Sequence, residues 1–205
     1  MPRPRGDGRP TVGVQLWVDL PAHLKLCEPR YRDLRAGEIP LAESPDGRVA
    51  VKVISGLAYG VESPKELAYT PVWLLDVTVR PGGKFVQNVP AGWNAFAYMI
   101  EGAARLGEGD KAKLVDEFHI AVFHQDGDTV VAEVPEVCDK DGKEAGARFL
   151  LVAGMPLDQK IVQYGPFVMT SQEEVYQAVM DFQMGANGFE RARTWESEIG
   201  KRMNM

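Results

Sequence analysis

Cysteine is scarce in this chain of 205 residues. Cys27 and Cys138 are the only two, far apart and without metal-type spacing. That excludes a disulfide framework and a zinc ribbon, and it suits free thiols in a reducing compartment. No apolar run approaches membrane-spanning length and no apolar signal region follows the first residues, so the expected location is cytoplasmic or nuclear, with no membrane partner. Positive charge is in deficit: 23 Lys and Arg stand against 29 Asp and Glu, for a formal net charge of -6. Such a balance offers no general attraction to a phosphate backbone and counts against direct nucleic-acid binding. Histidine is limited to His23, His119 and His124. On a straight strand, residues as far apart as His119 and His124 point to opposite faces, which disfavours a shared metal. Gly56, Gly60, Gly82 and Gly83 do not make a phosphate loop, and no Ser, Thr or Cys has the neighbours of an activated nucleophile. Asp and Glu between Glu101 and Asp128 fall in turn-like stretches, where carboxylates are solvated turn formers.

What is present is a series of short strand patterns. Hydrophobic residues make up 45% of the chain, enough for a core. Strands are expected at 49–54, 73–79, 96–100, 113–115, 120–123, 129–134 and 148–153, with turn signals between them, which points to an all-β sandwich or barrel. In the clearest of these, Trp73, Leu75, Val77 and Val79 should face inward while Asp76, Thr78 and Arg80 face water. Phe96, Tyr98, Phe149 and Leu151 complete the expected core. Upstream, MPRPRGDGRP is rich in Pro, Gly and Arg and reads as a disordered leader over 1–11, its Arg5-Gly6-Asp7 a chance tripeptide. Val12, Val14, Leu16, Val18 and Leu20 alternate with other residues as in a half-buried strand. The Pro-rich stretch to residue 48 reads as a connector, with Tyr31 as an anchor.

The carboxy-terminal third carries the strongest local signals. Arg148 to Ala153 is apolar on both faces, as in a strand covered on both sides. Ile161 to Gln163 could add a short strand, and Gly165-Pro166 marks a turn. Thr170 with Glu173, or Ser171 with Glu174, forms a capping box, after which Val175, Ala178, Val179 and Phe182 make a helical stripe that Gly185 can terminate.

The wording GPFVM before that cap, LLVAGMPL at 150–157, GFERARTWESEIG at 188–200, VQLWVDLP at 14–21 and EPRY at 28–31 resemble, in order, segments of the pirin family of two-barrel cupins. Gln159-Lys160 departs from the acidic-Pro pair usual in the family and touches a loop contact. The resemblance implies a mainly β fold: a cupin-type jelly-roll barrel over 49–165, a carboxy-terminal helical segment over 166–205, and a remnant strand of a first barrel plus connector over 12–48.

Metal-holding cupins follow a spaced Gly, His, His, Glu, Gly pattern, in which two His on one strand face share an ion. Laid from Gly82, it falls on Asn88, Pro90, Ala95 and Gly102: both framing glycines are present and the three ligands are not. In the family, iron or a similar divalent metal is held in the first barrel, where some members oxidise quercetin. Those ligands lie upstream of the Gln15–Val18 segment, so the resemblance covers the second half and implies no cofactor in this chain. The expected function is therefore a non-catalytic binding module of transcription-coregulator type. The alternative is a quercetin 2,3-dioxygenase, truncated or completed by a partner. A regulatory protein or a second copy is the expected partner, with Val14, Leu16, Trp17, Phe167, Met169, Val175 and Phe182 at or near the interface.

Overall fold

The computed structural model describes residues 13–29, 33–64, 69–136 and 146–196. The leader, Val12, Tyr31, Cys138 and the Asp139–Gly142 turn signal lie outside those residues. The chain divides into two compact units, 27–158 and a second made of 1–26 with 159–205.

The larger unit is built from short strands, because Val, Ile, Phe and Tyr recur at period two between Gly- and Pro-containing turns. They are β1 (Leu41–Glu43), β2 (Val49–Ser55), β3 (Leu57–Ala58), β4 (Val61–Glu62), β5 (Val72–Val79), β6 (Lys84–Asn88), β7 (Asn94–Glu101), β8 (Ala104–Leu106), β9 (Lys113–Val115), β10 (Ile120–Val122), β11 (Thr129–Glu133) and β12 (Ala147–Gly154). Two antiparallel sheets result, ordered β1-β2-β5-β12-β7-β10 and β6-β11-β8-β9. β3 and β4 form a separate hairpin.

β12 lies in the middle of the larger sheet. Phe149 and Leu151 stand opposite Val77 and Leu75 of β5 on one side, and opposite Met99 and Ala97 of β7 on the other. All six are fully buried. Phe85 of β6 meets Phe149 edge to face, with ring centroids 5.7 Å apart. These contacts join the inner faces of the two sheets in one hydrophobic core, the packing of a jelly roll.

Three expectations are corrected. Phe96 and Tyr98 are not core residues: they are half-buried, and the inward set of β7 is Ala95, Ala97 and Met99. The register with β12 sets Ala97 and Met99 beside the inward Leu151 and Phe149, so Phe96 and Tyr98 fall on the other face of the sheet beside Val152 and Leu150. Asp76 does not face water. It is buried and accepts two hydrogen bonds from Arg148, Nε to Oδ1 and Nη2 to Oδ2, each 2.8 Å. This bidentate pairing offsets the cost of removing the carboxylate from solvent, and it holds the Arg148 guanidinium pKa above its ordinary value. Finally, residues 13–20 form no strand despite their alternation; a period-two pattern specifies a strand only where another edge supplies the ladder.

The smaller unit contains the hairpin β13 (Val162–Tyr164) and β14 (Phe167–Met169), followed by α1 (Gln172–Met184). Ser171 is the N-cap. Its hydroxyl accepts from the Glu174 amide at 3.1 Å, while the Glu174 carboxylate accepts from the Ser171 amide at 3.1 Å and from the Thr170 hydroxyl at 2.6 Å. Gly185 ends the helix in the left-handed region, φ 66°, where a side chain would be strained. Gln159 reaches the amino-terminal segment: its carboxamide oxygen accepts from the Ala22 amide at 2.9 Å, and its nitrogen donates to Asp19 Oδ2 and the Leu20 carbonyl. Lys25 completes the tie, 2.5 Å from Asp19 Oδ1 and 3.1 Å from the Val168 carbonyl.

Candidate functional site

The framing glycines of the motif have separate reasons to be glycine. Gly82 and Gly102 both adopt φ +70°. A Cβ on Gly82 would enter the Arg48 and Glu136 side chains, and one on Gly102 would enter the Gly146 backbone carbonyl. Between them the strand phase differs from the one counted on the sequence. β6 alternates with Phe85 and Gln87 buried and Asn88 exposed; Val89 is buried and Pro90 exposed. The inward positions at the end of β6 are therefore Gln87 and Val89. Asn88 turns outward, where its Oδ1 accepts from the Thr129 hydroxyl at 3.3 Å. A shift of one residue exchanges the faces of a strand. Ala95, on β7, does face inward and is buried.

The donor set that faces the barrel interior is thus Gln87, Val89 and Ala95. Gln87 offers a carboxamide whose nitrogen already donates to the Asn88 carbonyl at 2.8 Å, and the other two offer no side-chain donor. These residues do not fit a divalent metal, which needs imidazole, thiolate or carboxylate here. Among the described residues no group of three or more His, Cys, Asp and Glu side chains is placed to hold an ion. His119 and His124 flank β10 and are exposed; His119 Nδ1 lies 3.0 Å from the Glu117 carbonyl oxygen.

The two free sheet edges at this end, β9 and β10, are not paired with each other. A cavity of about 720 Å³ opens there, lined by Val89, Trp93, Ala95, Leu106, Phe123 and Val130, with His119, His124, Lys111 and Lys113 among the polar groups. Trp93 packs edge to face on Trp73, ring centroids 5.8 Å apart.

The expected interface residues all belong to the smaller unit. Val14 and Trp17 are exposed, Trp17 at 67%, and Trp17 Nε1 donates to Gln15 Oε1 at 3.1 Å. Leu16, Phe167 and Met169 are half-buried and Phe182 is exposed, whereas Val175 is buried and presents no surface. Phe167 and Phe182 are brought together, centroids 6.2 Å apart, and each also meets Phe189 edge to face. Phe189 was not singled out from the sequence; its place in a stretch of Gly, Asn and charged residues gives no periodic signal.

Two antiparallel sheets with this strand order and this core define a cupin-type jelly roll. Residues 74–188 match the Pirin C-terminal cupin domain family. Among curated proteins the chain is 44% identical over 191 residues to human Pirin, covering 93% of this chain and 62% of that one. To Pirin-like protein 2 of Arabidopsis thaliana it is 39% identical, covering 91% of this chain and 56% of that one. Its fold is similar to the crystal structure of quercetin 2,3-dioxygenase from Acinetobacter baumannii, with a TM-score of 0.70 and 25% identity over 82% of this chain and 54% of the other. It is also similar to GK1651 from Geobacillus kaustophilus, with a TM-score of 0.56, 28% identity and coverage of 70% and 53%. The chain belongs to the pirin family. It spans about three fifths of the length of the curated relatives it matches, 62% for human Pirin.

Proposed function

We propose that this chain works as a non-catalytic binding module, a pirin-family cupin of the transcription-coregulator type acting in the cytoplasm or nucleus. The observation that carries the reading is the inward set Gln87, Val89 and Ala95, which supplies no ligand set for a catalytic metal where a metal-holding cupin has one. The partner is a regulatory protein or a second copy, engaged through the apolar side chains that the smaller unit leaves in water. Trp17 and Phe182 are large and exposed, the kind of side chain that anchors interfaces. The net charge of -6 supports protein rather than nucleic acid as the partner class. No described helix is long and apolar enough to cross a membrane.

Light scattering on the purified chain, with and without Phe182→Asp or Leu16→Asp, tests the self-association form of this reading. The expected outcome is a dimer or larger species that either change converts to monomer. A monomer in all three cases excludes the second copy and leaves a different protein as the partner.

A second reading is favoured by one observation, the likeness to quercetin 2,3-dioxygenase at 25% identity and TM-score 0.70 over 54% of that chain. On it, a further barrel supplied by another polypeptide holds the iron and this chain completes a flavonol-oxidising assembly. Quercetin consumption that appears only on mixing with such a partner distinguishes it from the first.

A further inference from the structure

The two main sheets end in edge strands, β1 and β10 in one and β6 and β9 in the other. An edge leaves backbone donors and acceptors open to pairing with another strand, and charged residues on it guard against that. β1 carries Glu43, β6 carries Lys84 and β9 carries Lys113, whereas β10 is Ile120, Ala121 and Val122, without charge. Its ladder phase shows which groups are open. The Met99 amide donates to the His119 carbonyl at 2.9 Å and the Phe123 amide to the Ala95 carbonyl at 3.0 Å, so the odd-numbered residues of this segment bond to β7. Antiparallel pairing alternates, and the amides and carbonyls of Ile120 and Val122 therefore aim at the open side.

The side chains beside that row are apolar and uncovered. Ala121 packs against the core, which puts Ile120 and Val122 on the outer face, opposite Tyr98 and Phe96, where they are 57% and 73% exposed. Just before them the chain forms a bulge: the Phe118 amide donates to the Met99 carbonyl at 2.9 Å, while the Met99 amide donates to the next residue, His119. Phe118 holds the position of that bulge where glycine is usual, with φ 64°. A bulky residue is strained there, and its ring, 68% exposed, gains no burial in return. Neither packing nor turn chemistry accounts for phenylalanine at this place; contact with a partner does.

Charge and register define that partner. Asp116 and Glu117 precede β10 and Asp126 and Asp128 follow it, all exposed, while Lys111 and Lys113 lie before and on β9, in the other sheet. Both ends of the β10 edge are thus acidic. A second copy laid antiparallel across Ala121 would set Asp116 of one copy beside Asp126 of the other, like charge on like. A foreign strand with basic ends meets no such conflict.

We propose that the β10 edge binds an extended segment of another protein by strand addition, one with apolar side chains at alternate positions and basic residues at both ends. Backbone pairing with Ile120 and Val122 supplies the affinity, and the apolar pair seated beside Ile120, Val122 and Phe118 supplies the selectivity together with the flanking cations. The surface lies wholly in the larger unit, apart from the side chains of the smaller unit invoked above.

The test is nuclear magnetic resonance titration of the full, isotopically labelled chain with the capped peptide KKVTVKK, its acidic counterpart EEVTVEE, and KKVTVKK carrying N-methyl groups on both valines. Saturable shifts at Phe118, Ile120 and Val122 are expected with the basic peptide, together with slowed solvent exchange of the Ile120 and Val122 amides. The acidic peptide should bind more weakly by about tenfold or more, and the N-methylated one, which lacks the donors, not at all. Phe118→Gly should leave the chain at least as stable, because glycine suits that φ, yet weaken the basic peptide several-fold; Val122→Asp, which puts a charge on the edge, should abolish binding. Should either variant not fold, the peptide series on the wild-type chain decides alone. No saturable binding, shifts centred elsewhere, equal affinity for the acidic peptide, or undiminished binding of the N-methylated peptide or by folded Phe118→Gly would each overturn the proposal. So would concentration-dependent broadening of the Ile120 and Val122 amides without peptide, which would show that a second copy takes the edge.

Discussion

Replacing Leu151 by Ala probes the point on which the barrel's packing depends. Leu151 is fully buried on the middle strand of the larger sheet, flanked across both ladders by Leu75 and Ala97. The change removes the apolar transfer energy of three carbons and leaves a cavity whose cost depends on how far the surroundings collapse. Here collapse is restricted, because β12 is hydrogen-bonded on both sides over most of its length and Ala97 is too short to reach across. The loss should fall in the upper part of the range for buried leucines, about 3 to 5 kcal/mol. Leu114→Ala on β9 is the matched control: it is 60% exposed and should change stability by less than about 1 kcal/mol. Urea unfolding followed by far-ultraviolet circular dichroism reads both, with a lower midpoint and unchanged slope expected for Leu151→Ala. A loss below about 1 kcal/mol for Leu151→Ala, or one matching Leu114→Ala, would refute the assignment of β12 to the centre of the core.

Other consequences are as direct. Gly102→Ala should destabilise the barrel by more than about 1 kcal/mol, since the residue has positive φ and a Cβ would strike the Gly146 carbonyl; a chain as stable as wild type in the same unfolding assay would contradict this. Glu174 has its pKa held below the usual carboxylate range, first by the Thr170 hydroxyl and then by backbone amides. A depressed carboxyl contributes stability above its unfolded pKa and loses it as pH falls through the folded one. Helix α1 should therefore lose stability on acidification below the ordinary glutamate range, and Glu174→Gln should flatten that dependence. Helicity that falls equally steeply in the variant would reject the capping role. Arg148→Met should destabilise the chain more than the double change Asp76→Leu with Arg148→Met, because the single change takes both hydrogen bonds from a buried carboxylate and leaves it facing Lys52 at 4.0 Å. The reverse order in a double-mutant comparison would show that the pair does not act together.

Much of the fold was legible because strand periodicity is local. β9 appears at the expected residues, and β5, β7, β10, β11 and β12 lie within two residues at each end of expectation. The capping box of α1 was legible for the same reason: its partners are three residues apart. What escaped depends on distant residues. β7 is apolar on both faces, so its phase is not readable from its own residues; its register with β12, which sets Ala97 and Met99 beside Leu151 and Phe149, decides it. The burial of Asp76 depends on Arg148 in another strand. The motif count from Gly82 landed on the outward residues Asn88 and Pro90 because the strand's phase, anchored by Phe85, places Gln87 and Val89 inside. Ala95, the third position of that count, faces inward. The alternation of Val14, Leu16 and Val18 met no ladder partner and so produced no strand.

On the function we propose, the described residues of this chain do not build a catalytic metal centre. Elemental analysis of the purified chain after dialysis against a chelator, followed by addition of iron and quercetin, tests it most directly. Far less than one equivalent of iron, nickel, copper or zinc per chain is expected, with no consumption of quercetin by the chain alone. One tightly held transition metal per chain, retained through dialysis, or quercetin turnover that Gln87→Ala abolishes, would contradict it.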